Sequence, residues 1–299
     1  MANLKEMRLR IVSVKSTQQV TRAMKMVSAA KLRKAQDAII QIRPYAEKLH
    51  DILVNLVEQN DSTDFDNKYA GHKEVKKVLI IAITSNRGLC GGFNANVVKK
   101  VEELLATTYA NFYEKGMVDV LAIGKKGVDG LKAKNISVSG TLPQLYDGLQ
   151  YSTAEVAAQD LMNSFSNGEY DHIDLVYNQF KNAAIQKLMV EQFLPVEIKE
   201  VPTHIADTHQ YFSNYIFEPN VQEIMETVIP KSLKIQFYKA ILDSVASEHG
   251  ARMTAMHKAT DNASELVREL NLQYNKARQS AITGEILEIV SGANALQSS

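Results

Sequence analysis

The chain has 299 residues, enough to bury a core without help from metals or disulfides. Its 34 basic and 34 acidic residues cancel, yet residues 1–36 hold nine Lys/Arg against one Glu, so the N-terminal arm is a cationic rod. The lone cysteine, Cys90, excludes an internal disulfide and a cysteine-rich zinc site and points to a reducing compartment, with the cytosol as the default.

No stretch approaches the roughly 20 apolar residues of a membrane span, so the chain is not expected to cross a bilayer. The start, Met1-Ala-Asn-Leu-Lys5, lacks the apolar core and small-residue cleavage site of a signal peptide, and no cleavage is expected.

From Leu4 to Leu56 there is no glycine and only one proline, Pro44, which predicts one long helix with room for a local kink. Alternate steps of three and four visit Leu4, Met7, Ile11, Val14, Gln18, Thr21, Lys25, Ser28, Leu32, Ala35, Ile39, Ile42, Ala46, Leu49, Leu53 and Leu56, of which twelve are apolar. A 3.5-residue stripe of that length is a coiled-coil seam, not the wider face of a globular helix. At 1.5 Å per residue the helix would reach roughly 80 Å, too long for a compact domain of this size.

Residues 73–208 read differently. Val78–Thr84 is a buried strand, a helical segment follows over 94–114, and Val118–Ile123 is a second strand before a short helix. A helix over 153–167 leads into a strand at His172–Tyr177, and Ile185–Pro195 has the pattern of a paired strand. Such alternation predicts a Rossmann-like α/β domain with a parallel sheet.

The last region, 220–297, carries Pro230 and no further proline, and its run from Lys231 to Leu296 predicts a second long helix of about 100 Å. Its seam passes through Met253, Met256, Thr260, Ala263, Val267, Leu270, Tyr274, Ala277, Ala281 and Gly284, mostly small residues that let two helices approach closely. The chain leaves the first helix, builds a domain and returns, so the two helices must pair antiparallel. The fold class is therefore α/β, a long antiparallel coiled coil of terminal helices (1–58 and 220–297) around a central α/β domain. At the far end Ile282, Ile286, Leu287, Ile289 and Val290 do not share one face, so other chains are expected to sleeve the tip.

Several residue sets invite a chemical reading. Arg87-Gly-Leu-Cys-Gly-Gly92 follows a strand and precedes a helix, as a phosphate-binding turn would, but it lacks both the Lys-Ser/Thr of a P-loop and a full Gly-x-Gly-x-x-Gly. A tight turn packing Cys90 is the simpler reading. His249 and His257 stand eight apart with no carboxylate cluster, and no metal site, cofactor site or catalytic set is expected. The N-terminal basic residues lack interleaved aromatics and are spread around the rod, which favours acidic protein loops over nucleic acid. Met24 and Lys25 lie where the seam turns polar, either as a register device or as a bearing contact with surrounding chains.

The segments Met24-Lys-Met-Val-Ser-Ala-Ala-Lys-Leu-Arg33, Arg87-Gly-Leu-Cys-Gly-Gly-Phe-Asn94, Ser247-Glu-His-Gly-Ala-Arg-Met-Thr-Ala-Met256, Tyr274-Asn-Lys-Ala-Arg-Gln-Ser-Ala-Ile-Thr283 and Ile282–Ala295 closely resemble, in order and spacing, segments of ATP synthase gamma subunits. The resemblance implies a mechanical, non-catalytic role. The coiled coil would stand inside a hexameric ring of alpha and beta subunits, with the middle domain on the membrane c-ring beside epsilon. Ion-driven rotation of the asymmetric shaft would then carry the beta-subunit sites through successive conformations for ATP synthesis. It places Arg278 and Gln279 at the beta-subunit catch loops, adds Thr283 and Glu285 as subunit contacts on the same tip, and favours bearing contact for Met24 and Lys25. It sets Tyr215 and Phe217 where the family meets epsilon and the rotor ring, although core packing serves them equally. The implied place is peripheral, on the cytoplasmic face of a bacterial inner membrane.

Asn86 departs from the acidic residue common in the family, and the chloroplast insertion with its cysteine pair is absent. The rival reading is a non-rotary coiled-coil scaffold with a partner-binding α/β insert.

Overall fold

The computed structural model describes residues 4–58, 68–69, 75–196, 218 and 221–297. They fall into two compact units: Ala29–Arg252, and Met1–Ser28 with Met253–Ser299. The terminal helices α1 (Leu4–Glu58) and α6 (Val221–Gln297) each contribute to both. These units therefore cut across the three spans 1–58, 73–208 and 220–297 instead of following them.

The larger unit is built on a five-stranded sheet in the order β3-β2-β1-β4-β5. Its strands are β1 (Val78–Ile83), β2 (Val118–Ile123), β3 (Gly140–Thr141), β4 (His172–Phe180) and β5 (Gln186–Leu194). β1 pairs in parallel with β2 and β4, β2 in parallel with β3, and β5 closes the edge antiparallel to β4. All six residues of β1 are buried because both faces of a central parallel strand are covered, which is why its sequence is a continuous apolar run and not an alternation. Leu79, Ile81 and Ile83 face one core with α5 (Tyr151–Ser166) and the first part of α6. Val78, Ile80 and Ala82 face the other, with α2 (Phe93–Ala106) and α4 (Lys125–Ala133).

The helical segment expected over 94–114 is two helices, α2 and α3 (Ala110–Glu114). The break falls on Thr107-Thr108-Tyr109, weak helix formers whose backbone turns so that the Tyr109 hydroxyl donates to the buried Asp174 carboxylate at 2.6 Å. At the start of α4, Gly124 has φ 99°, and a Cβ there would lie 2.2 Å from the Thr84 carbonyl oxygen, so only glycine fits.

The second long helix starts at Val221, ten residues before Lys231, and runs through Pro230. Met225, Ile229, Leu233, Phe237, Ala240 and Ile241 pack into the core beside the sheet, with the Phe237 and Phe193 rings 5.8 Å apart. The part of α6 before Met253 is thus a core helix of the α/β unit, and its apolar face is set by the sheet. α1 likewise runs unbroken through Pro44, with Leu32, Ala35, Ile39 and Leu49 buried in this unit.

In the smaller unit the two helices run antiparallel. Gln18 Nε2 donates to Ser264 Oγ at 2.7 Å and the Thr260 and Thr21 hydroxyls lie 2.9 Å apart, so moving back along α1 means moving forward along α6.

Candidate functional site

The heptad stripe is the buried seam. In the smaller unit Ile11, Thr21 and Ser28 are buried on α1, and Leu4, Met7, Val14, Gln18 and Lys25 are half-buried, while most residues between them are exposed. On α6, Met256, Ala263 and Leu270 are buried, with Met253, Thr260, Val267, Tyr274 and Ala277 half-buried between them. Stepping outward from the Gln18–Ser264 and Thr21–Thr260 pairs brings Leu4 level with Ala277. Beyond that level α6 outruns the described part of α1.

The overhang holds the tip residues singled out from the sequence. Arg278, Gln279, Thr283 and Glu285 are all exposed, and the Thr283 hydroxyl donates to the Gln279 carbonyl at 2.9 Å. At about 100° per residue, Arg278 and Glu285 share one side of the helix, and Gln279 and Thr283 share the adjacent one. Ile282, Ile286, Leu287, Ile289 and Val290 are 48–71% exposed and spread over roughly half the circumference, more than one packed partner helix covers. Met24 and Lys25 are half-buried, whereas Met26 and Val27 beside them are exposed. Tyr215 and Phe217 lie outside the described residues.

The loop after β1 is a rigid turn. Cys90 is buried, and Asn94 organises the turn by accepting from the Ser85 amide at 2.9 Å and donating to Ser85 Oγ at 2.8 Å. Burial pushes the Cys90 thiol up, with the Ser85 hydroxyl, Arg252 and the Asn94 amide pulling the other way and Glu248 adding to the rise. Leu89 and Gly91 take positive φ. Backbone donors beside the turn are engaged: at the start of α2 Phe93 N–H bonds the Cys90 carbonyl at 3.3 Å, and at the start of α4 Lys125 N–H bonds Asn86 Oδ1 at 3.0 Å and Lys126 N–H bonds the Ser85 carbonyl at 3.0 Å. The crevice at the carboxyl ends of β1 and β4, where α/β sheets of this order hold ligands, is filled by α6. There Arg252 donates to the carbonyls of Arg87 at 2.9 Å and Gly88 at 3.1 Å and pairs with Glu248, and Ser247 Oγ donates to the Asn178 carbonyl at 2.9 Å.

Asn86, the departure noted above, donates to the Pro143 carbonyl at 3.0 Å and to Asp147 Oδ2 at 2.9 Å while accepting from Lys125. An ionised carboxylate at this position could accept from Lys125 but could donate neither of the other two bonds. His249 is pushed down to about 4 by burial, then by Arg252 and Lys31, so it is neutral at pH 7. His257 pairs with Asp261 at 3.2 Å on the surface. Among the described residues no group of three His, Cys, Asp or Glu could hold a metal, and no helix is long and apolar enough to cross a membrane.

Sequence reasoning missed the Arg252–Glu248 pair and Asp243. Asp243 is buried against the hairpin of β4 and β5, accepting from the Phe180 amide, and is pushed up to about 6 by burial, against the pull of Lys239 and Arg43 and with a further push from Glu191.

The ATP synthase family profile matches residues 3–296. ATP synthase gamma chains from Flavobacterium psychrophilum and Flavobacterium johnsoniae are 57% and 56% identical to this chain, each over 99% of it and over 100% and 99% of their own lengths. The chain belongs to the ATP synthase gamma-chain family. A chain from the central stalk and c-ring of the Tetrahymena thermophila mitochondrial ATP synthase matches 80% of it, and 99% of that chain, at TM-score 0.56 and 25% identity. One from the Euglena gracilis mitochondrial enzyme covers 99% of it, and 95% of that chain, at TM-score 0.69 and 22% identity, which shows the shared fold.

Proposed function

We propose that this chain is the central rotor shaft of a bacterial ATP synthase, without catalytic chemistry of its own. The observation that carries the reading is the overhang of α6, where apolar residues 48–71% exposed occupy roughly half the circumference of a helix that nothing in the described chain covers. A free rod end in water would be polar, so the tip fits a sleeve formed by alpha and beta subunits. Within that sleeve Arg278 and Gln279 meet the catch loops of beta, Thr283 and Glu285 add contacts on the same tip, and Met24 and Lys25 bear on the ring lower down. Tyr215 and Phe217 meet epsilon and the c-ring.

The terminal segments, 1–58 and 220–297, carry the shaft role, and the 73–208 segment carries docking to the ring. Rotation works because a shaft that binds three beta-subunit states unequally shifts their equilibrium as it turns. The chain sits peripherally, on the cytoplasmic face of the inner membrane. Co-purification with ATP-hydrolysing alpha and beta subunits, and loss of ATP synthesis on deletion, is the expected result. A solitary chain, or one recovered with partners that do not hydrolyse ATP, overturns the reading in favour of a static scaffold.

A further inference from the structure

The seam of the smaller unit turns polar along α1 from Gln18 to Ser28, and one level of that stretch is hydrogen-bonded across the two helices. Between the buried Ile11 and Leu270 on one side and Ser28 and Met256 on the other, the helices meet through Gln18, Thr21, Thr260 and Ser264. A polar layer in a coiled coil ordinarily sets register at a cost in stability. Here both helices also pack their own residues into the α/β core, α1 through Leu32, Ala35 and Ile39 and α6 through Phe237, Ala240 and Ile241, so register is already fixed there.

Each hydroxyl of the layer is also tied to its own helix. Thr21 Oγ1 donates to the Gln18 carbonyl at 3.0 Å, Thr260 Oγ1 lies 2.7 Å from the Met256 carbonyl, and Ser264 Oγ donates to the Thr260 carbonyl at 2.9 Å. When the helices part, these hydroxyls keep an acceptor and Gln18, already half-buried, is met by water, so separation costs little polar energy. The apolar stretch on the tip side, Ile11 and Val14 with Val267 and Leu270, returns buried surface to water when it parts and so resists parting. Hydroxyls bonded back to carbonyls three or four residues earlier also favour helix bending.

We infer that the Gln18–Thr21 and Thr260–Ser264 layer is the compliant segment of the helix pair, the level at which it bends and opens first under load. This deepens the shaft reading and rests on it for its purpose, but its test does not. Amide hydrogen exchange on the free full-length chain is compared with that of the variant Gln18→Leu, Thr21→Val, Thr260→Val, Ser264→Ala. In the unmodified chain, amides 256–267 exchange faster than amides 268–274; in the variant they slow about ten-fold to match them, with 225–245 unchanged as the internal reference. Equal exchange across both segments in the unmodified chain, or no slowing in the variant, overturns the inference. If the four-fold variant does not fold by circular dichroism, Thr21→Val alone is used, with slowing of about three-fold expected at 258–263 and none overturning it. Failure to assemble with alpha and beta subunits bears on the shaft reading instead.

Discussion

The side-chain amide of Asn86 donates to the Asp147 carboxylate at 2.9 Å, and this bond ties the turn after β1 to the segment following the short 3-10 turn at Pro143–Leu145. Asn86→Asp removes both donors and sets two carboxylates face to face. A loss of about 1–2 kcal/mol in urea denaturation at pH 7 is expected. Adding Asp147→Asn restores a donor and recovers most of it; an unchanged midpoint for the single variant refutes the account.

Arg252 is buried with its guanidinium divided among the Glu248 carboxylate and the carbonyls of Arg87 and Gly88. Arg252→Ala strands a buried carboxylate and two carbonyls, with an expected cost of about 3–5 kcal/mol. Arg252→Met with Glu248→Met removes both charges together and is expected to cost clearly less than the single change. Thermal unfolding of the three proteins checks the order.

Asp243 makes stability depend on pH in a particular direction. Its folded carboxyl titrates at about 6 against an ordinary 3.8, so the folded state binds its proton more tightly than the unfolded chain does. Below about pH 4 both states hold the proton and nothing is lost; from about pH 4 to 6 the unfolded carboxyl ionises while the folded one keeps its proton, so stability falls, and above about 6 the loss levels off at on the order of 2–3 kcal/mol. Asp243→Asn keeps an acceptor for the Phe180 amide without the charge. It is expected to gain most of that amount at pH 7 and nothing at pH 4, and equal gains at both pH values rule the mechanism out.

Much of this was legible before the structure because period and burial are the same thing seen twice. Every residue of the 3-4 stripe from Leu4 to Leu49 is buried or half-buried in α1, since a seam repeats every 3.5 residues. Val78–Ile83 and Val118–Ile123 read as strands because central parallel strands need apolar residues on both faces. β3 was missed because two residues carry no period. The last helix runs from Val221 through Pro230, a residue with no amide hydrogen to donate, because the core contacts of Met225, Ile229 and Leu233 on either side hold that stretch in place. Arg252 and Glu248, one turn apart, look like a solvated helix pair. Only the fold brings Arg87 and Gly88 beneath them, and no local pattern encodes that.

Arg278 separates contact from structure. It is exposed on the part of α6 beyond the described residues of α1, so Arg278→Ala should leave the melting temperature of the free chain nearly unchanged, within about 0.5 kcal/mol of stability. In the assembled enzyme the same guanidinium would be enclosed against acidic or carbonyl groups of a beta subunit. Removing one partner of an enclosed pair costs about 3–5 kcal/mol, against 0–1 kcal/mol for an exposed one. ATP synthesis in membrane vesicles carrying the variant is therefore expected to fall by at least ten-fold while the free chain stays folded. Lysine at the same position keeps the charge but not the planar fork and should recover only part of the activity. If the alanine variant synthesises ATP at the original rate, the tip touches its sleeve through its apolar residues alone, and Ile282, Ile286 and Leu287 become the positions to change.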